Sequence, residues 1–113
     1  MLTAAVLFLA AALALIAVDL MRAEASKARA QTAADAAALA AAQEIAIPSG
    51  ELPGDVAAEY ARRNGATLVE CRCDPGTSEA VVEVEVPITL VFVGPNRTVR
   101  ARARAVIEGG GGG

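Results

Sequence analysis

The sequence predicts an α+β fold: one long N-terminal helix packed on a small antiparallel sheet of three to four strands. Three observations carry this reading. Residues 1–47 contain neither Gly nor Pro and are rich in Ala and Leu, the strongest helix formers. Pro48-Ser-Gly-Glu-Leu-Pro-Gly54 is dense in turn residues. From Thr67 onward apolar and charged residues alternate with a period of two, the signature of half-buried strands. The organisation is therefore a long helix over 1–47, whose first 18 residues are a separate apolar segment, a small α+β head over 48–108, and a flexible Gly tail over 109–113.

The helix comes first. Residues 1–18 carry no charge, and as a helix they span about 27 Å, close to the hydrocarbon thickness of a bilayer. A buried globular helix is disfavoured because such a run leaves no polar face. The run is longer than a typical secretory h-region and lacks the basic segment that should precede one. A cleavable signal peptide or a simple anchor is the plainer competing reading. The charges nearest the run, Asp19, Arg22, Glu24, Lys27 and Arg29, all follow it. A positive-inside count would place the C-terminal part in the cytoplasm, unless a short basic leader preceded Met1 and was removed. An apolar segment that begins abruptly is what such processing leaves, and removal of a leader is the expectation.

Helical composition continues to Ile47, but amphipathic. Asp19 with Arg22 and Glu24 with Lys27 are i,i+3 pairs, each worth a few tenths of a kcal/mol. Ten of the fifteen residues from Ala28 to Ala42 are Ala, smooth enough to let a sheet approach the backbone. The stripe Leu20, Ala28, Leu39 and Ile45 is expected to receive that sheet. Asp35 reads as a solvated carboxylate or one bonded to a partner strand. Fully helical, the element would be about 70 Å long, more than so small a domain can cover.

In the head, a short helix is expected after Gly54, with Asp55 as N-cap, Val56 and Tyr60 on one face, and Asn64-Gly65 as the stop. Arg62 and Arg63 in its last turn complement the helix dipole. The first strand, Thr67 to Cys73, sets Thr67, Val69, Cys71 and Cys73 against Leu68, Glu70 and Arg72. Asp74-Pro-Gly-Thr-Ser78 is a turn. Ala80 to Val86 sets Val82, Val84 and Val86 against Glu83 and Glu85. Pro87 to Val93 either continues that strand or forms its own, and Gly94-Pro-Asn96 turns the chain. Arg97 to Ile107 sets Val99, Ala101, Ala103, Ala105 and Ile107 against Arg100, Arg102 and Arg104. The apolar faces fit an Ala-rich helix. The opposite face brings glutamates against arginines, and cross-strand opposite charges help fix pairing.

Composition excludes several function classes. There is no His, there are two Cys, and Phe8, Tyr60 and Phe92 are the whole aromatic set. Most metal-site and triad chemistry is thereby excluded, and no catalytic residue, metal site or cofactor is expected. A net charge of −3 with so few stacking side chains argues against nucleic acid. Cys71-Arg72-Cys73 is too short a pair for zinc and is not the C-x-x-C redox spacing. In an extended strand the two Cα atoms would stand roughly 6.5–7 Å apart, so a local disulfide requires a bent strand. A local disulfide and reduced or intermolecular cysteines both remain open. Asn96-Arg97-Thr98 matches the N-x-T pattern, making Asn96 a candidate glycosylation site.

Val18-Asp19-Leu20-Met21-Arg22, followed by Ala28-Arg-Ala-Gln-Thr-Ala-Ala-Asp-Ala-Ala-Ala-Leu-Ala-Ala-Ala42, resembles the N-terminal signature of tight-adherence (Tad) pilus proteins of the TadE/TadG-like group, within the type IV pilin superfamily. The likeness is most specific from Gln31 to Ala42 and looser in the sheet. It implies a type IV pilin-like fold and a structural subunit of an extracellular cell-surface filament, with no enzymatic activity. It implies a stage in the cytoplasmic membrane, a prepilin peptidase, pilus assembly machinery, and copies of itself or other pilin subunits as partners. Leu2, Val6, Leu7, Phe8, Leu9, Leu13, Leu15, Ile16 and Val18 would then lie in the bilayer first and in the filament core later. Many type IV pilins carry Glu at the fifth mature position. Here that position, counted from Met1, is Ala5, and Asp19 with Arg22 is expected to supply a polar register further along. The alternative is a single-pass membrane-anchored binding module, or a minor or priming pseudopilin of a secretion system.

Overall fold

A computed structural model of the chain describes residues 1–88 and 97–107. Among these, the order is α1 (Leu2–Ala46), α2 (Pro53–Arg63), β1 (Thr67–Arg72), β2 (Glu79–Ile88) and β3 (Arg97–Val106). The expected α+β arrangement is borne out. The three strands form one antiparallel sheet in the order β1-β2-β3. The expected turn at Gly94-Pro-Asn96, the segment from Thr89 to Val93 and the Gly tail lie outside the described residues.

The long helix has no internal breaker, and it ends where the backbone forces it to. A residue before proline is pushed out of the helical region, and Ile47, before Pro48, has φ −132° and ψ 82°. Its N–H still donates to the Gln43 carbonyl at 2.8 Å. Ser49 then donates twice to the Glu44 carboxylate, from its backbone N–H and its hydroxyl, each at 2.7 Å. These bonds fold the loop back onto the helix end. They hold the Glu44 carboxyl below the usual glutamate range, the backbone N–H being the larger cause.

Helix α2 starts earlier than expected. Pro53 occupies its first turn, and Leu52, not Asp55, is the N-cap. Proline is pre-set for that position and has no N–H to leave unsatisfied. Asp55 lies in the first turn, where its charge meets the positive end of the helix. The stop falls at Asn64-Gly65 as expected. Ala66 N–H donates to the Ala61 carbonyl at 2.9 Å and Gly65 N–H to Arg62 at 3.0 Å, with Gly65 at φ 78°. This paired closure is a Schellman motif, and the left-handed residue favours glycine. The buried face of α2 is Pro53, Ala57 and Ala61; the Val56–Tyr60 face is only partly covered.

The core lies between α1, α2 and the inner sheet face. Ala30, Ala33, Ala34, Ala37, Ala38 and Ala41 meet Val82, Val84 and Val86 of β2, with Ala57 and Ala61 from α2 alongside. Of the stripe expected to receive the sheet, only Ile45 packs against this core. Leu20, Ala28 and Leu39 face outward, Leu39 being 55% exposed. The reason is steric: methyl side chains let the valines of β2 approach the helix backbone, which leucine would hold away.

Strand β1 also departs from its expected pattern. Leu68 pairs with Val84 but Glu70 pairs with Glu83, so Val69 is an extra residue in a bulge. The bulge reverses the phase. Leu68 and Cys71 turn to the core, while Val69 is 42% exposed and Thr67 is exposed. Pro87 continues β2 opposite Thr98, past the point where Thr67 of β1 pairs with Glu85. Its missing N–H therefore costs no bond to β1. The Asp74-Pro75-Gly76-Thr77 turn closes with Thr77 N–H on the Asp74 carbonyl at 3.2 Å, Gly76 at φ 88°. Proline second and glycine third is the type II pattern.

Candidate assembly surface

The first 18 residues of the chain are exposed almost throughout. Every large apolar side chain from Leu2 to Val18 is exposed: Leu2, Val6, Leu7, Phe8, Leu9, Leu13, Leu15, Ile16 and Val18. Phe8 is 79% exposed. The helix is long and apolar enough to cross a membrane. Contiguous apolar surface of this extent marks a surface that is covered by something else, lipid or protein. These are the nine side chains named from the sequence for the membrane and filament-core segment, and each is exposed.

The apolar segment ends at Asp19, which is 6% exposed, the one buried charged residue among the described residues. Asp19 and Arg22 each have an interaction partner. A carboxylate is buried only where its surroundings compensate its lost hydration. Beyond it, Leu20 and Met21 are again exposed, and Lys27 stands 3.9 Å from Glu24. Arg29 leans toward the end of α2, its Cδ lying 3.5 Å from where a side chain on Gly65 would begin.

The head carries the salt-laced outer face expected from the alternation. Arg102 reaches Glu83 at 3.5 Å and Glu70 at 3.9 Å, Arg100 reaches Glu85 at 3.6 Å, and Arg72 reaches Glu70 at 3.3 Å. Arg104 pairs with Glu79. Glu70 and Glu83 sit directly opposite each other, and Arg102 offsets their repulsion. These pairs are exposed, so each contributes about 0–1 kcal/mol. Asp35 is exposed and accepts from Gln31 at 3.0 Å, in keeping with its solvated reading.

Cys71 and Cys73 are joined in a disulfide, with Cα atoms 5.4 Å apart. The bend required by this spacing is present, because β1 ends at Arg72 and Cys73 turns inward to the core. Asn96 lies outside the described residues. Among the described residues no group of three or more Cys, Asp or Glu side chains is arranged to hold a metal. The concavities of the head are open to solvent, such as the one lined by Arg72, Asp74, Gly76, Thr77, Ser78 and Glu79.

Residues 1–44 match the family model described as Tad, "Putative Flp pilus-assembly TadE/G-like". The resemblance read from the helix is thereby borne out, and it supports involvement in a Tad pilus system. The matched region is the exposed apolar segment together with most of the Ala face that carries the head. No curated protein and no solved structure matches the chain.

Proposed function

We propose that this TadE/G-like pilus-assembly protein is a structural subunit, a pilin or pilin-like protein, of a Tad or type IV pilus-like filament at the cell surface. The observation that carries the reading is the all-round exposure of the apolar side chains from Leu2 to Val18 on a helix continuous with the head. In the bilayer that surface is covered by lipid. In a filament it is covered by the same surface of neighbouring subunits, with the heads outside. The transfer needs no change of fold, because the head's core is complete without the segment. The Cys71–Cys73 disulfide supports an extracytoplasmic head, since such bonds persist in oxidising compartments.

No catalytic step belongs to this reading. Partners are further pilin subunits, an assembly machine, a leader-removing peptidase and, before assembly, the cytoplasmic membrane. Asp19, buried at the end of the apolar segment, sets the axial register with Arg22. Charge reversal at either residue is expected to impair assembly, and normal filaments from both single mutants would remove this role.

The test is electron microscopy of material sheared from producing cells, with mass spectrometry of the intact subunit. Filaments composed mainly of this chain are the expected result. Filaments holding only traces of it would demote it to a minor or priming component. A longer N-terminus retained in membranes, without filaments, would favour an anchored binding module.

A further inference from the structure

The cations of the chain are not spread evenly along its long axis. Lys27 and Arg29 lie on the neck between the apolar segment and the first core alanine, Ala30. Arg62 and Arg63 lie in the last turn of α2, and the contact between Arg29 and Gly65 brings that turn to the level of the neck. Val56 and Tyr60, earlier in α2, sit beside Ala40, Gln43 and Ile47. Helix α2 thus runs back toward the apolar segment and delivers its basic end there. The acids Glu44, Glu51 and Asp55 lie around the loop that joins the two helices and the start of α2, Glu51 and Asp55 sharing an open concavity with Glu59, Tyr60 and Arg63.

We propose that Lys27, Arg29, Arg62 and Arg63 form a basic collar that docks on the anionic lipid headgroups of the bilayer holding residues 1–18. The inference rests on the membrane stage of the proposed function and adds a lipid preference to it. The dimensions fit. Exposed Leu20 and Met21 extend the apolar side of the helix, so that residues 2–21 span about 30 Å, one hydrocarbon thickness. From Met21 to Arg29 the helix rises about 12 Å, of which the headgroup layer takes roughly 5–8 Å. The remaining gap is within reach of a Lys or Arg side chain, and within a Debye length of about 8 Å at physiological salt.

Acids within the collar leave it a surplus of positive charge. Glu24 faces Lys27 at 3.9 Å with both side chains largely exposed, a weak pair. Arg62 and Arg63 share the single carboxylate of Glu59, and Arg63 also lies over the Tyr60 ring at 4.9 Å. Among the described residues no carboxylate is within ion-pair distance of Arg29. Anionic lipid supplies the missing countercharge, and each cation near such a surface favours it measurably.

Tyr60, the chain's single tyrosine with no Trp beside it, is a built-in reporter on α2, one turn before its basic end. The full chain is reconstituted into phosphatidylcholine vesicles containing phosphatidylglycerol, with a trace of either lipid carrying the same dansyl acceptor on its acyl chain. Flotation is checked first. Energy transfer from Tyr60 should report phosphatidylglycerol enriched around the protein by about fivefold for each engaged cation. Enrichment should fall toward one at high salt, in the double variant Lys27→Gln with Arg29→Gln, and partly in Arg62→Gln. Circular dichroism verifies that each variant is folded. Flotation with equal transfer to the two lipids, unaffected by salt, would overturn the collar and leave the membrane stage intact. Absence of flotation would overturn the membrane stage and the collar together.

Discussion

Gln31 on α1 donates from Nε2 to the backbone carbonyl of Arg102 on β3, 3.3 Å away and 71 positions later in the chain. Ile107 N–H turns to Ser78, on the side of β2, so residues of the opposite parity, Arg102 among them, turn to the open edge of β3. Gln31 therefore occupies part of an edge that would otherwise be available for pairing with another strand. The same amide holds Asp35 at 3.0 Å, so one side chain joins a turn of the helix to the rim of the sheet. Replacing Gln31 by Ala should destabilise the chain by about 0.5–1 kcal/mol, the lower part of the range for a hydrogen bond because this one is exposed. Thermal unfolding of the full chain in detergent checks it. An unchanged midpoint would show the contact to be incidental.

The interface between α1 and the sheet depends on small side chains. Ala34 and Ala37 are completely buried against it, whereas Leu39 points away. Ala37→Leu should cost about 1–3 kcal/mol through overpacking, while Leu39→Ala should stay within about 0.5 kcal/mol. Denaturation of the two variants side by side distinguishes this arrangement from one in which Leu39 faces the sheet, for which the order would reverse.

Arg102 stands between two opposed glutamates. Arg102→Ala leaves Glu70 and Glu83 facing each other, and should destabilise by roughly 0.5–1 kcal/mol at low salt. Because the site is exposed, the loss should shrink as salt is added. A salt-independent loss would point to packing of the arginine stem instead.

Glu44 ionises below its ordinary range because Ser49 bonds its charged form. A lowered folded value means that the carboxylate adds stability at pH above the unfolded value, about 4.3. That contribution is lost as pH falls from there through the folded value. Ser49→Ala, which removes the hydroxyl bond but keeps the backbone one, should raise the Glu44 midpoint part of the way back. Carboxyl NMR titration reads it directly, and no movement would assign the effect wholly to the backbone N–H.

Near the middle of the apolar segment, Leu9→Arg should oppose membrane insertion by about 2.5–3.5 kcal/mol and reduce the membrane-bound fraction. The head, whose core does not include Leu9, should keep its disulfide and its fold. Cell fractionation with thiol-reactivity measurements checks both halves. Full membrane retention would mean that the segment is held by contacts other than lipid.

The sequence by itself determined the elements whose signals are local. Uninterrupted Ala and Leu specify α1, Pro48 ends it, Asn64-Gly65 closes α2, and strict alternation specifies the faces of β2 and β3. It also disclosed the exposed segment, since an uncharged run over residues 1–18 leaves a helix with no polar face. Only the tertiary structure decided which face of α1 meets the sheet. Amphipathic pattern pointed to the larger side chains Leu20 and Leu39, but close approach of the β2 valines selected alanine methyls instead. Only the structure located the bulge at Val69, because one extra residue is defined by the strand it fails to pair with. The closure of Cys71 onto Cys73 likewise depended on where β1 stops. The level of the basic end of α2 against the neck depended on how two helices pack, and neither helix encodes that alone.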